Sequence, residues 1–192
     1  MWFGSVNYTV TKTTPSTRQA LNDGGPDTEE PLIFRAPTPH DGARIHQLIS
    51  DCPPLDVNSV YVYLLLAEHF ANSCVVVERQ QSLVGFISAY RPPTQPNTLF
   101  IWQVAVHQQA RGQALGKRML EHLLQRPELN SVSYIETTVS PSNHASRAMF
   151  QSLAARLGCA LHEDTLFEES HFGSQQHEAE PLLRIGPKLE VG

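Results

Sequence analysis

Cysteine is scarce in this sequence: three in 192 residues, Cys52, Cys74 and Cys159. The number is odd, no pair stands at metal-ligand spacing, and no secretory leader pattern precedes them. A disulfide scaffold is excluded, and reduced, mostly buried thiols in a cytoplasm are expected. Long apolar runs are also lacking, which excludes a membrane-spanning helix. Nine histidines form neither H-x-x-x-H nor H-E-x-x-H, so no metal is expected. A net charge of -5 leaves no basic surface, so neither nucleic acid nor an anionic membrane is an expected partner. What is present suits an ordinary globular protein: 41% hydrophobic and 17% charged residues, in a chain long enough for one substantial core.

Residues 1–30 are rich in Thr, Ser, Asn, Gly and Pro, and read as a flexible tail. One domain is expected over 31–187, followed by a short tail at 188–192. Leu32–Arg35 reads as a first strand. Thr38-Pro39-His40-Asp41 caps a helix running to Ser50, which Cys52-Pro53-Pro54 stops. Ser59 is placed to cap a second helix, from Val60 to His69. Strands follow at Ser73–Glu78, Leu83–Tyr90 and Leu99–Val106, with the first two joined by a turn at Gln80-Gln81-Ser82. A third helix is predicted to Gln125, a fifth strand over Val132–Val139, and a fourth helix from Asn143 to Leu157 with Gly158 as its C-cap. Ala160–Phe167 and Pro181–Ile185 are shorter strands around a polar insert, Glu168–Glu180. The order β-α-α-β-β-β-α-β-α-β-β is a mixed α/β layout.

The segment Gln109–Gly116, Q-A-R-G-Q-A-L-G, lies between the fourth strand and the third helix. A strand, a tight glycine loop and a helix start make an anion site, because N–H groups converge there and the helix dipole favours negative charge. The ligand this predicts carries phosphate. The spacing is that of Q/R-x-x-G-x-G/A, and the region resembles the acyl-CoA pyrophosphate loop of the GCN5-related N-acetyltransferases (GNAT). The resemblance covers about Leu32 to Pro187. It implies the GNAT fold, with a central sheet splayed between strands four and five, and acetyl-CoA as co-substrate. It implies that Arg111, Gly112, Gln113, Ala114, Leu115, Gly116 and Lys117 hold the pyrophosphate, with Ala114 where many relatives have Gly. Val104, Ala105 and Val106 would pair with the pantetheine through their main chain, and Asn143 would touch the cofactor.

Four further segments narrow the resemblance: C-P-P-L-D-V-N-S-V-Y from Cys52, W-Q-V-A-V from Trp102, E-T-T-V-S-P-S-N from Glu136 and H-E-A-E-P-L-L-R-I-G-P from His177. All are similar to the L-2,4-diaminobutyrate acetyltransferases, the branch that acetylates the γ-amine of a precursor of ectoine. By that resemblance Asp56, Tyr61, Trp102, Glu136, Asn143 and His177 line the acceptor pocket and the protein is a homodimer; by residue type Thr137 and Thr138 add hydrogen bonds to the acceptor, and the apolar edges of the sixth or seventh strand are the expected place of pairing. The chemistry of the residue types agrees. An acceptor with two amines and a carboxylate needs acidic groups such as Asp56 and Glu136, aromatic walls such as Tyr61 and Trp102, and hydroxyl or amide partners. Each also fits a plainer role: Asp56 a turn cap, Trp102 core, Glu136 a solvent face, Tyr61 helix packing, Asn143 a helix cap, His177 a charged surface.

The expected reaction is direct attack of a neutral amine on the thioester, with Glu136 as base through water. Many acetyltransferases put a Tyr on the fourth helix to protonate the thiolate; counted from Asn143, that place holds Phe150, which has no proton to give. Acetylation of another small diamine or amino acid, an acyl-CoA sensor without catalysis, and a plain phosphate-binding module remain as alternatives.

Overall fold

The structure, a computed structural model, describes residues 31–174 and 177–188. The tail expected at 1–30, and all but the first residue of that at 188–192, lie outside the described residues. Lys188 itself is tied down, its N–H donating to Ser133 O at 2.8 Å.

The elements follow the predicted order. They are β1 (Ile33–Arg35), α1 (Gly42–Ser50), α2 (Val60–His69), β2 (Val75–Arg79), β3 (Ser82–Tyr90) and β4 (Thr98–Val106). Then come α3 (Leu115–Leu124), β5 (Tyr134–Thr138), α4 (His144–Leu157), β6 (Leu161–Phe167) and β7 (Glu180–Ile185). Two strands begin two residues later than the pattern predicts: the 3-10 turn Ala71–Ser73 takes up Ser73 before β2, and Val132 and Ser133 lie between the turn Pro127–Leu129 and β5. Ser59 stands at the N-cap of α2, but its side chain makes no cap hydrogen bond. Asn143 does cap α4, accepting from Ser146 N at 3.1 Å, and Gly158 ends that helix at φ 63°.

Seven strands form one sheet in the order β1-β2-β3-β4-β5-β7-β6. Alternation along β2 separates its two faces. Val75 and Val77 pack into the larger core with α3 and α4, whereas Val76 packs with α1 and α2 around Ile45, Ile49, Tyr63 and Phe86. β4 and β5 are parallel and pair only from Thr98–Tyr134 to Ile101–Thr137. Beyond that point Trp102–Val106 runs on along β3 without β5 beside it. This is the splay the resemblance implied, and it opens the sheet between its two central strands.

The end of the sheet at β1 is held by charge. Asp41, 1% exposed, takes two bonds from Arg35 at 2.7 and 2.8 Å and one from Arg44 at 2.8 Å, and both arginines also reach Glu78. Burial pushes the Asp41 carboxyl up, but hydrogen bonds from Arg35 and Thr38 outweigh it and hold it well below the usual carboxylate range. Arg35 does the same to Glu78, against a smaller effect of burial. A depressed folded value stabilises above the unfolded pKa, about 3.9 for Asp, and that stability is lost as pH falls through the folded value. Asp41→Asn should therefore destabilise the protein by about 3 kcal/mol at neutral pH and flatten the acid limb of stability below about pH 4. Urea melts at several pH values measure this; an unchanged acid limb removes Asp41 from it.

Candidate active site

β4 ends in a 3-10 turn at Gln108–Ala110, and the chain then curls into α3. Two residues of the curl have left-handed backbone, Gly112 at φ 79° and Ala114 at φ 52°. A Cβ on Gly112 would meet nothing within 4 Å among the described residues, so its glycine serves the backbone and leaves open space above the loop. Ala114 holds the N-cap position of α3 in a conformation that costs a residue with a Cβ about 1–2 kcal/mol. Gly116 answers a different need: a Cβ there would meet Met149 Sδ at 2.9 Å, so the glycine lets α3 and α4 close together at the floor of a groove.

That groove is a cavity of about 370 Å³. Val104 and Val106 form one side, Arg111–Lys117 the head, the first turn of α4 another side, and Cys52–Leu55 the far wall. The first N–H groups of α3 have no partner within the helix and point at its head. Arg111 lies on the groove, its Nε donating to Val106 O at 3.3 Å. Gln113 turns away, accepting from Arg79 at 2.5 Å, and Ala105 is buried in the smaller core, so these two predicted cofactor residues do not line the groove. Burial raises the Cys52 thiol, against an opposing pull from Arg111, and burial pushes Cys74 up to about 11. Neither is poised as a thiolate nucleophile.

The far end of the groove meets the parting of β4 and β5. Here β4 carries a bulge. Gln103 pairs with Ser88 and Ile101 with Ala89, leaving Trp102 as the extra residue, 42% exposed. A row of registered residues crosses five strands at this level: Tyr90, Phe100, Glu136, Arg184 and His162. Glu136, 4% exposed, is ion-paired with Arg184. Arg184 lies 4.0 Å over the Tyr134 ring and donates to Gln95 Oε1 at 3.2 Å. Burial and then the Glu136 charge raise the Tyr90 hydroxyl, which stays protonated.

The model of the acetyltransferase (GNAT) family matches residues 42–155. The chain belongs to that family. Among similar proteins is the L-2,4-diaminobutyric acid acetyltransferase of Bordetella parapertussis, 53% identical over 155 residues, which are 80% of this chain and 83% of that protein. That of Halomonas elongata is 45% identical over 158 residues, 82% of each chain. Among solved structures, the diaminobutyrate acetyltransferase of Paenibacillus lautus, in complex with L-2,4-diaminobutyric acid and coenzyme A, superposes with a TM-score of 0.81. It is 41% identical, and the match covers 85% of this chain and 99% of that one.

On this GNAT framework the predicted residues fall into two groups. Gly112, Ala114, Leu115, Gly116, Lys117, Arg111, Val104, Val106 and Asn143 all line the one groove. Asn143 does so while capping α4, so its plain role and its site role coincide. On the acceptor side, Asp56 is brought to β4 by its main chain, whose carbonyl accepts from Gln103 Nε2 at 2.8 Å, one residue from Trp102. Tyr61 is 66% exposed on the first turn of α2 and packs against no core. Glu136 is buried rather than solvent-facing. Thr138 shares its face of β5 with Glu136; Thr137, 3% exposed, alternates to the opposite face with Ile135. His177 stacks on Phe172 at 3.9 Å, and its neighbour Glu178 accepts from Ser142 Oγ at 2.9 Å, which joins the strap before β7 to the loop before α4. Phe150 is buried in the larger core, while Met149 beside it faces the groove; neither is a proton donor.

Arg184, Tyr90, Ser146 and Met149 are among the site residues that the sequence did not single out. Arg184 sits within the tail quoted from His177, but nothing local marks it as the partner of a residue 48 positions earlier.

Proposed function

We propose that this GNAT protein transfers the acetyl group of acetyl-CoA to the γ-amine of L-2,4-diaminobutyrate. The likeness to the Paenibacillus enzyme, whose complex contains both diaminobutyrate and coenzyme A, carries the reading, with named relatives over four fifths of the chain in support. The donor supplies an activated acetyl thioester. Open space above Gly112, the positive end of α3 and the cation of Lys117 suit its pyrophosphate. In the parting past the bulge, β4 N–H groups that point away from β3 have no strand partner; they are placed to pair with the pantetheine and to polarise the thioester carbonyl.

The acceptor enters as an ammonium. An alkylamine has a pKa near 10.4, so freeing its electron pair at pH 8 costs roughly 3 kcal/mol. Glu136 receives that proton through water; one carboxylate oxygen is held by Arg184, which keeps the group aligned. Asp56, Tyr61, Trp102, Thr138, Asn143 and His177 bind and orient the acceptor, whereas the buried Thr137 side chain, on the opposite face of β5 from Glu136, does not reach it. With Phe150 in the core, the departing thiolate leaves without a protein acid, which a thiol pKa near 8.5 permits.

The protein acts in the cytoplasm as a homodimer. β7 is paired on both sides, so of the last two strands β6 is the free edge among the described residues, and it presents Leu166 and Phe167 at 37% and 45% exposure.

Thiol release from acetyl-CoA with a panel of amines, followed by product identification, is the test. L-2,4-diaminobutyrate should exceed ornithine and polyamines in kcat/KM by at least about 10-fold and give the N4-acetyl product. Turnover of ornithine or a polyamine without diaminobutyrate overturns the acceptor; tight CoA binding with no turnover overturns catalysis.

A further inference from the structure

We infer that Gln103 is a positioning residue for the acceptor, holding the Asp56 peptide against the β4 bulge. This rests on the acceptor reading of Asp56 above. Gln103 follows the bulged Trp102 and is 6% exposed. Its own N–H donates to the hydroxyl of Ser88, itself fully buried, at 3.1 Å. Its side-chain Nε2 donates to Asp56 O at 2.8 Å. One buried amide thus ties the strand that faces the thioester to the loop that carries Asp56. Among the described residues the loop has one other such anchor near it, Asn58 N–H to Tyr63 Oη at 3.2 Å.

The other half of the same amide shows what the residue is for. Gln103 Oε1 is buried and has no hydrogen-bond partner among the described residues. An orphaned buried acceptor costs stability. A methionine of similar length would carry no such cost in this position. The favourable contact that only the amide makes is the one to Asp56 O. Turning the amide over would set two oxygens against each other, so the donor assignment follows from the contact.

The bond acts on the acceptor through geometry. The Asp56 backbone sets the Cα–Cβ direction from which its carboxylate starts, and Gln103 holds that backbone beside Trp102. Loosening it misplaces the acceptor without touching the donor groove. Gln103→Met removes the bond and the orphaned oxygen together, so the thermal midpoint should move little. Its KM for L-2,4-diaminobutyrate should rise about 10-fold, in line with misplacement costs of up to about 100-fold, while its KM for acetyl-CoA stays within about 2-fold.

A double-mutant cycle tests the coupling. Asp56→Ala alone should raise the diaminobutyrate KM; added to Gln103→Met it should raise it by less than about 2-fold more. A strong Asp56→Ala effect with a silent Gln103→Met, or fully additive effects, overturns the role of Gln103 alone. Equal rises in both KM values mark a merely structural residue and also overturn it. An Asp56→Ala variant with unchanged diaminobutyrate KM overturns the acceptor reading of Asp56 and this inference with it. Should Gln103→Met not fold, Gln103→Asn, one methylene short of Asp56 O, is expected to show the same split.

Discussion

Gly112→Glu should weaken acetyl-CoA binding by at least about 100-fold, close to 3 kcal/mol. Two effects combine. Gly112 holds φ 79°, where a side chain costs about 1–2 kcal/mol. The new carboxylate would also stand in the open space above the loop, at the positive end of α3, where the pyrophosphate is expected. Among the described residues, nothing beyond the chain neighbours of Gly112 lies within 4 Å of the added Cβ, so the fold has nothing to push aside. The loss should therefore be concentrated in binding. Titration calorimetry with CoA measures it, and thermal unfolding without ligand should show only the backbone strain. Gly112→Ala separates the two effects, since it carries the strain without the charge and should weaken CoA by about 10-fold or less. Wild-type affinity in Gly112→Glu removes the loop from donor binding.

Glu136→Ala should lose about 100-fold in turnover near pH 7 and only a few-fold near pH 10. The pH dependence comes from the acceptor. An amine of pKa near 10.4 is almost wholly protonated at pH 7, and a base is then needed most; near pH 10 a large share is already neutral. The pH profile of kcat/KM in the two proteins measures this, and a deficit equal at every pH would make Glu136 a binding group instead of a base. The ion pair predicts an asymmetry that serves as control. Removing Glu136 leaves Arg184, whose side chain is 34% exposed and can be hydrated. Removing Arg184 leaves a carboxylate with 5% of its side chain exposed, and Arg184→Ala should cost about 3 kcal/mol of stability as well as activity.

The donor half of the site was legible because its signals are local. A strand, the spacing of Arg111, Gly112 and Ala114, and a helix start lie within one stretch of chain, and the chemistry of an anion cradle depends on main-chain atoms next to one another in sequence. The caps at Asn143 and Gly158 were legible for the same reason. The acceptor half was visible only as residue types in recognisable segments. Their burial was not: the periodicity of β5 left Glu136 free to face solvent, and it is buried because β7 lies between β5 and β6 and brings Arg184 across from it. Thr137 and Thr138 look alike in sequence, yet the pleat sends them to opposite faces.

By itself the sequence determined the order of elements, the donor loop and the types of group available to an acceptor. These follow from short-range propensity, capping and spacing. Only the tertiary structure decided the bulge at Trp102, the Arg184–Glu136 pair and the hold of Gln103 on Asp56. Each of these joins strands or loops far apart in the chain, through register and through the need of buried charge and amide groups for partners.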